Sequence, residues 1–425
     1  MDAEVGAPAR LEGKFAAILV CWLLGIGCLF AWNSMLTIED YYAQLFPKYH
    51  PARVLTLVYQ PCALMATAAF AYNEAKIDTR KRNLFGFFLY LIGIALVLVL
   101  DLATSGRGGL GHYIGICVCS GLFGVADGHV QGGMMGDLSF MLPEFVQSFL
   151  AGMAASGALT SALRLFTKAI FDNSNHGLRK GAIMFFVISV FFELLCCFLY
   201  AFVFPKLPIV RYYRKKAASE GSTTVASDLA AGGVSAQGLD EVRECGLCIS
   251  YFSDIRVDTV DFSWILIGGH WIPRIGLMVS SLQIKPLNAC NLARDDSKCR
   301  QHFRYVLVLI AMYNVWDLIG RYVPLMKCTK LESRKGLLIV ILMRFLLVPP
   351  FYFAAKYGGQ GWMLFLTSFL GLTNGYLTVC VLISAPKGYK GPEQNALGNI
   401  LALFLIGGIF AGGVLDWLWL IGKGW

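Results

Sequence analysis

Apolar residues run in blocks of roughly 20 separated by short polar stretches, at 15–37, 52–73, 83–103, 111–138, 144–170, 181–204, 303–326, 335–355, 361–385 and 394–421. About 20 residues of α-helix cover the hydrocarbon core of a bilayer, so each block predicts a membrane-spanning helix. Three of the intervening stretches are basic: KIDTRKR (76–82), PKLPIVRYYRKK (205–216) and KCTKLESRK (327–335). The loops at 39–53 and 101–109 are near neutral. Because Lys and Arg are retained on the cytoplasmic side, this asymmetry places the amino terminus inside. Lys206 and Lys327 both end a span on that side, so one further crossing must lie between them. The only stretch long enough is SWILIGGHWIPRIGLMVSSLQI (263–284). It holds His270, Pro273 and Arg274 at its middle, and the competing reading lays it on the membrane surface. Counted as the seventh span, it gives eleven, with the carboxyl terminus outside.

The chain then divides into an amino-terminal tail (1–14), a first six-helix bundle (15–204), a linker (205–261) that is basic to 216 and from about 217 rich in Ser, Gly, Ala and acidic residues, and a second bundle (262–425). The linker is expected to be disordered and cytoplasmic. The fold class is an all-α polytopic membrane protein in a 6+5 two-bundle, major-facilitator-like arrangement, the plan of carriers whose halves rock about a central site. Composition agrees: 57% of the 425 residues are hydrophobic and 15% charged, against about 25% charged in a soluble domain. Met1 to Lys14 carries Asp2, Glu4 and Glu12 and lacks a basic opening, so the first block is expected to remain as a span. The net charge of +9 comes without a basic run interleaved with aromatics, and no nucleic-acid partner is expected.

No H-E-x-x-H, G-x-S-x-G or G-x-x-x-x-G-K-[ST] is present, so protease, hydrolase and ATP-driven pump readings are set aside, and neither enzyme activity nor a cofactor is expected. Most of the 13 cysteines fall inside spans, where small apolar packing is the default. Cys245 and Cys248 form a C-x-x-C without a second pair at finger spacing, and Cys290 and Cys299 share one loop.

Polar residues in the middle of spans carry the functional information, because lipid tolerates them only where they face a cavity or a partner. In YNVWDLIGRYVP, Asp317 and Arg321 stand at i, i+4, with Asn314 a turn before Asp317. The pair either lines a wet path or locks two helices together. In GLFGVADGHVQGGMMGDLSFMLP, Gly124, Gly128, Gly132 and Gly136 form a stripe that admits another helix, and Asp127 and Gln131 form a second row beside it. The Gln131 amide either reads the edge of a planar heterocycle or bonds between helices. His129 is offset and reads as structural, and Asp137 as a helix-end surface charge. In LFAWNSMLTIEDYY, Trp32, Asn33, Leu36 and Thr37 lie within about one and a half turns. Trp32 offers a stacking face to a ligand or belongs to the interfacial aromatic belt. Asp127, a turn from Gln131, is the first candidate for a proton-coupling acid.

Taken together, these segments resemble the equilibrative nucleoside transporters, solute carrier family 29. The first-span P-W-N-x-x-x-T of that family appears as AWNSMLT, with Ala31 in place of proline. The fourth-span Q-G-x-x-x-G before Leu-Pro appears as Gln131, Gly132, Gly136, Leu142 and Pro143. The eighth-span F/Y-N-x-x-D-x-x-G-R appears as Tyr313, Asn314, Asp317, Gly320 and Arg321. From WNSMLTIEDYYAQLFPKYHP onward the wording is most similar to the plant branch. The resemblance implies facilitated passage of nucleosides, in some members nucleobases, as uniport or proton-coupled symport at the plasma membrane. It implies that Trp32 and Leu36 line the base pocket, that Gln131 hydrogen-bonds the base, and that Asp317 and Arg321 contact ribose hydroxyls and the gate. The region from Cys245 to His302 departs from the family's smooth apolar seventh span. A nucleoside is neutral, flat at one end and rich in hydroxyls at the other, so stacking plus hydrogen bonds suits it. The alternatives are a major-facilitator-type sugar or drug carrier and a non-transporting relative.

Overall fold

The computed structural model describes residues 13–74, 77–171, 176–217, 296–326, 329–357, 359–387, 389 and 391–420. The seventh-span candidate at 263–284 and the C-x-x-C at 245–248 lie outside these. All ten clear apolar blocks are helical. They form α1 (Lys14–Thr37), α3 (Pro51–Tyr72), α4 (Thr79–Ala103), α5 (Leu110–Ser139), α6 (Pro143–Phe171) and α7 (Gly177–Phe198), then α9 (Asp296–Tyr322), the pair α10 (Arg334–Arg344) and α11 (Val348–Tyr357), α12 (Gln360–Ser384) and α13 (Gly391–Leu420). Between α1 and α3 lies the short α2 (Glu39–Leu45). Among the described residues nine helices are long and apolar enough to cross a membrane. The remaining long helix, α9, carries Asn314, Asp317 and Arg321 in its second half.

Local chemistry sets the boundaries. Asp78 caps α4, its carboxylate accepting from the backbone N–H of Arg80 at 2.9 Å and of Lys81 at 3.2 Å. Ser333 caps α10 through the N–H of Gly336. The block at 335–355 breaks into α10 and α11 around a tight turn, Phe345–Leu347, because Pro349 and Pro350 bring no N–H to the helix ladder.

The basic stretch after α7 differs from its expectation as pure linker. Residues 208–217 form a helix, α8, whose Ile209 and Val210 are fully buried. Its Arg214 pairs with Asp137 at the end of α5. Asp137 is therefore a buried half of an ion pair, and not a free surface charge.

Within the first half, α1 lies against α6 and α7. A side chain at Gly152 would strike the backbone of Trp22 and come within 3.0 Å of Gly25, so the two helices touch backbone to backbone. In the second half α9 and α12 pair the same way, with Gly371 and Gly375 seated on the carbonyls of Tyr313 and Asp317. The halves meet through α6 against α9, and through α3 and α5 against α13.

Candidate functional site

Three groups of polar residues define the candidate site. The first is on α9. Arg321 donates through Nε to Asp317 Oδ2 at 3.1 Å, and its Nη2 lies 2.9 Å from the same oxygen. Asn374 of α12 donates to Asp317 Oδ1 at 2.8 Å, a reach made short by the glycines on either side of it. Arg321 Nη1 crosses to the carbonyl of Leu150 on α6, and Gln147 of α6 donates to the carbonyl of Arg321 at 3.0 Å. The pair is thus both self-neutralising and a bridge from α9 to α6 and α12. Higher on the same interface Asn314 donates to Gly157 O at 3.2 Å and to Ser161 Oγ at 3.1 Å.

The second group is at the far end of α1. Trp32, Met35 and Leu36, with Glu39 and Tyr42 of α2 and Leu55 of α3, line a narrow recess with room for about one water molecule. Leu36 is exposed there, whereas Trp32 is buried and stacked on Tyr59 of α3. Asn33 turns away and donates to Ser156 of α6 at 2.7 Å.

The third group is on α5. Gln131 is buried, and its Oε1 has no hydrogen-bond partner among the described residues. Asp127 is enclosed inside the first half, where Tyr90 donates to it at 3.2 Å and the Cys28 thiol lies at 3.7 Å. His129 is structural: its Nδ1 lies 2.8 Å from the Val125 carbonyl, and its ring packs on Phe70 and Phe85.

The glycine stripe serves two neighbours. Gly124 and Gly128 seat the backbone of α3, whereas Gly132 and Gly136 face Arg82, Asn395 and Asn399. That second surface is the meeting of the halves. Arg82 donates to Asn399 Oδ1 at 2.7 Å and to the Gly128 carbonyl at 2.8 Å, with its guanidinium over the Phe70 ring. Asn395 donates to Glu74. Burial pushes the Glu74 carboxyl up, against the opposing pull of Arg82 and Asn395. These contacts lie where α3 and α5 end and α4 and α13 begin. Arg321 and Leu150 sit toward the same end, while the Trp32 cavity sits toward the other.

The sequence pointed to Trp32, Leu36, Gln131, Asp317 and Arg321 as candidates. It missed Tyr59, Gln147 and Asn374, each an ordinary polar or aromatic residue inside a span. It also missed Arg82, read as part of a basic loop, and Glu39, read as part of a neutral one. Trp32, Leu36 and Glu39 share one cavity; Asp317, Arg321 and Asn374 share one cluster; Gln131 stands apart from both.

A family model described as "Nucleoside transporter" matches residues 116–250 and 272–421. The chain is 57% identical over 417 residues to the equilibrative nucleotide transporter 3 of Arabidopsis thaliana, covering 98% of this chain and 97% of that one. It is 56% identical to the equilibrative nucleotide transporter 6 of the same plant, over 99% of this chain and 98% of that one. Among solved structures, the major facilitator superfamily proton:xylose symporter XylE aligns at a TM-score of 0.59 and 12% identity, over 96% of this chain and 90% of that one. The E. coli fucose:proton symporter FucP aligns at 0.56 and 14%, over 98% and 94%. At such identities the likeness concerns the fold, which is that of the major facilitators.

Proposed function

The chain belongs to the nucleoside transporter family, and from that premise we propose that it carries nucleosides across a membrane by alternating access between its two bundles. One observation carries the mechanism. The halves are tied by Arg82, Asn399, Asn395 and Glu74 at one end, and the narrow Trp32 recess, beside the exposed Leu36 and Glu39, lies at the other. A carrier caught with one side shut and the other accessible has this layout. Uptake of radiolabelled uridine and adenosine in a background lacking nucleoside carriers tests it. Saturable uptake is expected, and none above the empty background, with the protein present at the surface, would overturn it.

In this reading the base enters beside Leu36 and reaches Trp32 as the recess widens, and Gln131 offers its unpartnered oxygen to a base N–H. Asp317 and Arg321 take ribose hydroxyls as the halves part. The spans number eleven in a 6+5 division, with the seventh at 263–284. The closed end, beside the basic stretches, is cytoplasmic, and the membrane is the plasma membrane. A glycosylation acceptor near Asp295 is then modified in microsomes, and one near Ser227 is not. Uniport and proton symport remain to be separated, with Asp127 as the candidate carrier of a proton. A protonophore that abolishes acid-stimulated accumulation assigns symport. Labelled hexose in the same assay addresses the sugar-carrier alternative, and a chain that moves none of these solutes is a non-transporting relative.

A further inference from the structure

Glu39 is the first residue of α2 and lies three residues beyond Leu36 on the wall of the Trp32 cavity. One side of it is exposed. Its surroundings are otherwise apolar: Trp32, Met35, Leu36 and Leu55, with Tyr42 alongside. The charged groups of the packed elements are mostly committed elsewhere. Asp40, next in sequence, is held by Arg164 and Lys168 of α6. From α7, Arg179 is held by Asp101, which also accepts from the Tyr41 hydroxyl. On α3, Tyr59 is stacked on Trp32, and Arg53 is the cation whose field reaches Glu39. The final turn of α1 brings no ionisable side chain. Glu39 has no ion-pair partner among the described residues.

We propose that Glu39 is a gating carboxyl of the substrate pathway, ionised while the Trp32 cavity is open to water and required to take a proton before the halves close over a bound nucleoside. This deepens the transport reading above and rests on it. Release of the contacts around Arg82 and Asn399 at one end must be answered by closure at the other, where Glu39 stands. Closure strips water from a carboxylate whose walls supply no hydrogen-bond donors equal to what it loses, and the neutral acid is then the cheaper species. Although Glu39 keeps an exposed side, the protein atoms crowding the other displace part of its hydration and lift its carboxyl to about 7, with Asp40 adding to the lift and Arg53 opposing it. The proton comes from water on the cavity side and returns there on reopening. External acid therefore speeds occlusion without a proton crossing the membrane, unlike coupling through Asp127.

The experiment measures initial adenosine uptake at external pH 6 and 8 for the wild type, Glu39→Gln, Glu39→Asp and Arg53→Gln, each normalised to protein at the surface, with and without protonophore. A single titration near pH 7 gives about tenfold faster uptake at pH 6 in the wild type, unchanged by protonophore. Glu39→Gln, fixed in the neutral form, brings the ratio to about one by raising uptake at pH 8, and Glu39→Asp keeps a pH response. Arg53→Gln removes the cation that favours the carboxylate, so it moves the midpoint to higher pH without touching Glu39. A flat wild-type profile, a Glu39→Gln variant that keeps the wild-type ratio, or a ratio abolished by protonophore overturns the proposal while uptake persists. A wild type that takes up adenosine at neither pH overturns the transport reading and this proposal with it.

Discussion

Trp32 lies flat on Tyr59, with ring centroids 3.9 Å apart and planes 10° from parallel. One face of the indole is thus occupied by Tyr59, which fixes the ring on the wall of the recess. Tyr59→Leu is expected to keep Trp32 in place on average while freeing its angle. Since a ring pair is worth about 0.5–1.5 kcal/mol, KM for nucleosides should rise about twofold to tenfold with a smaller change in maximal rate. Concentration-dependent uptake checks this, and an unchanged KM would mean that the pair serves packing alone.

Asp317 and Arg321 are buried, and each is the main counter-charge of the other. Removing one strands the other, at a cost of about 3–5 kcal/mol. Asp317→Ala and Arg321→Ala should therefore abolish uptake and lower the melting temperature of the purified protein. Arg321→Lys keeps the charge but lacks the fork that reaches Asp317 and the Leu150 carbonyl together, so it should reach the surface yet transport at least about tenfold more slowly. Parental rates in any of the three would remove the pair from the site.

Gln131 tests the base contact. With its oxygen unpartnered, Gln131→Ala should cost about 1–3 kcal/mol of nucleoside affinity and little thermal stability. Equilibrium binding and a melting curve on the same preparation separate this from an interhelical bond, whose loss would lower the melting temperature and spare affinity.

The closed end gives a conformational prediction. Arg82→Ala and Asn399→Ala both delete the 2.7 Å bond across the halves. In either background a cysteine placed at Ser139, which packs beneath Gly398, should react several-fold faster with an impermeant thiol reagent applied from that side. Labelling unchanged from the Ser139→Cys single variant would show that other contacts hold the end shut.

The spans were legible because a bilayer imposes one length and one polarity on every crossing, whereas the break at Phe345–Leu347 inside the block 335–355 was not read from the sequence. The Asp317–Arg321 pair was legible because both partners are on one helix. What the chain did not disclose depends on meetings between distant segments. Arg82 sits in a run that reads as a basic loop, yet its guanidinium is buried against Asn399, 317 positions away. Asp127 reads as a path-lining acid, and its enclosure by Tyr90 and Cys28 requires three helices to be placed first. Residues 205–217 read as linker because their charges outweigh Ile209 and Val210, whose burial depends on the bundle already standing.

The two ends of the glycine row on α5 differ in what a bulky replacement would damage. Leucine at Gly124 or Gly128 obstructs a contact with α3 inside one half, so the chain should be retained and degraded before it matures, seen as loss of total protein. Leucine at Gly136 obstructs a surface that must separate and rejoin in every cycle. Such a chain should accumulate at normal abundance with its Arg82 end wedged apart, still binding nucleoside but unable to reset. That would make position 136 a handle for trapping the carrier in its opposite orientation, and position 124 a reporter of quality control.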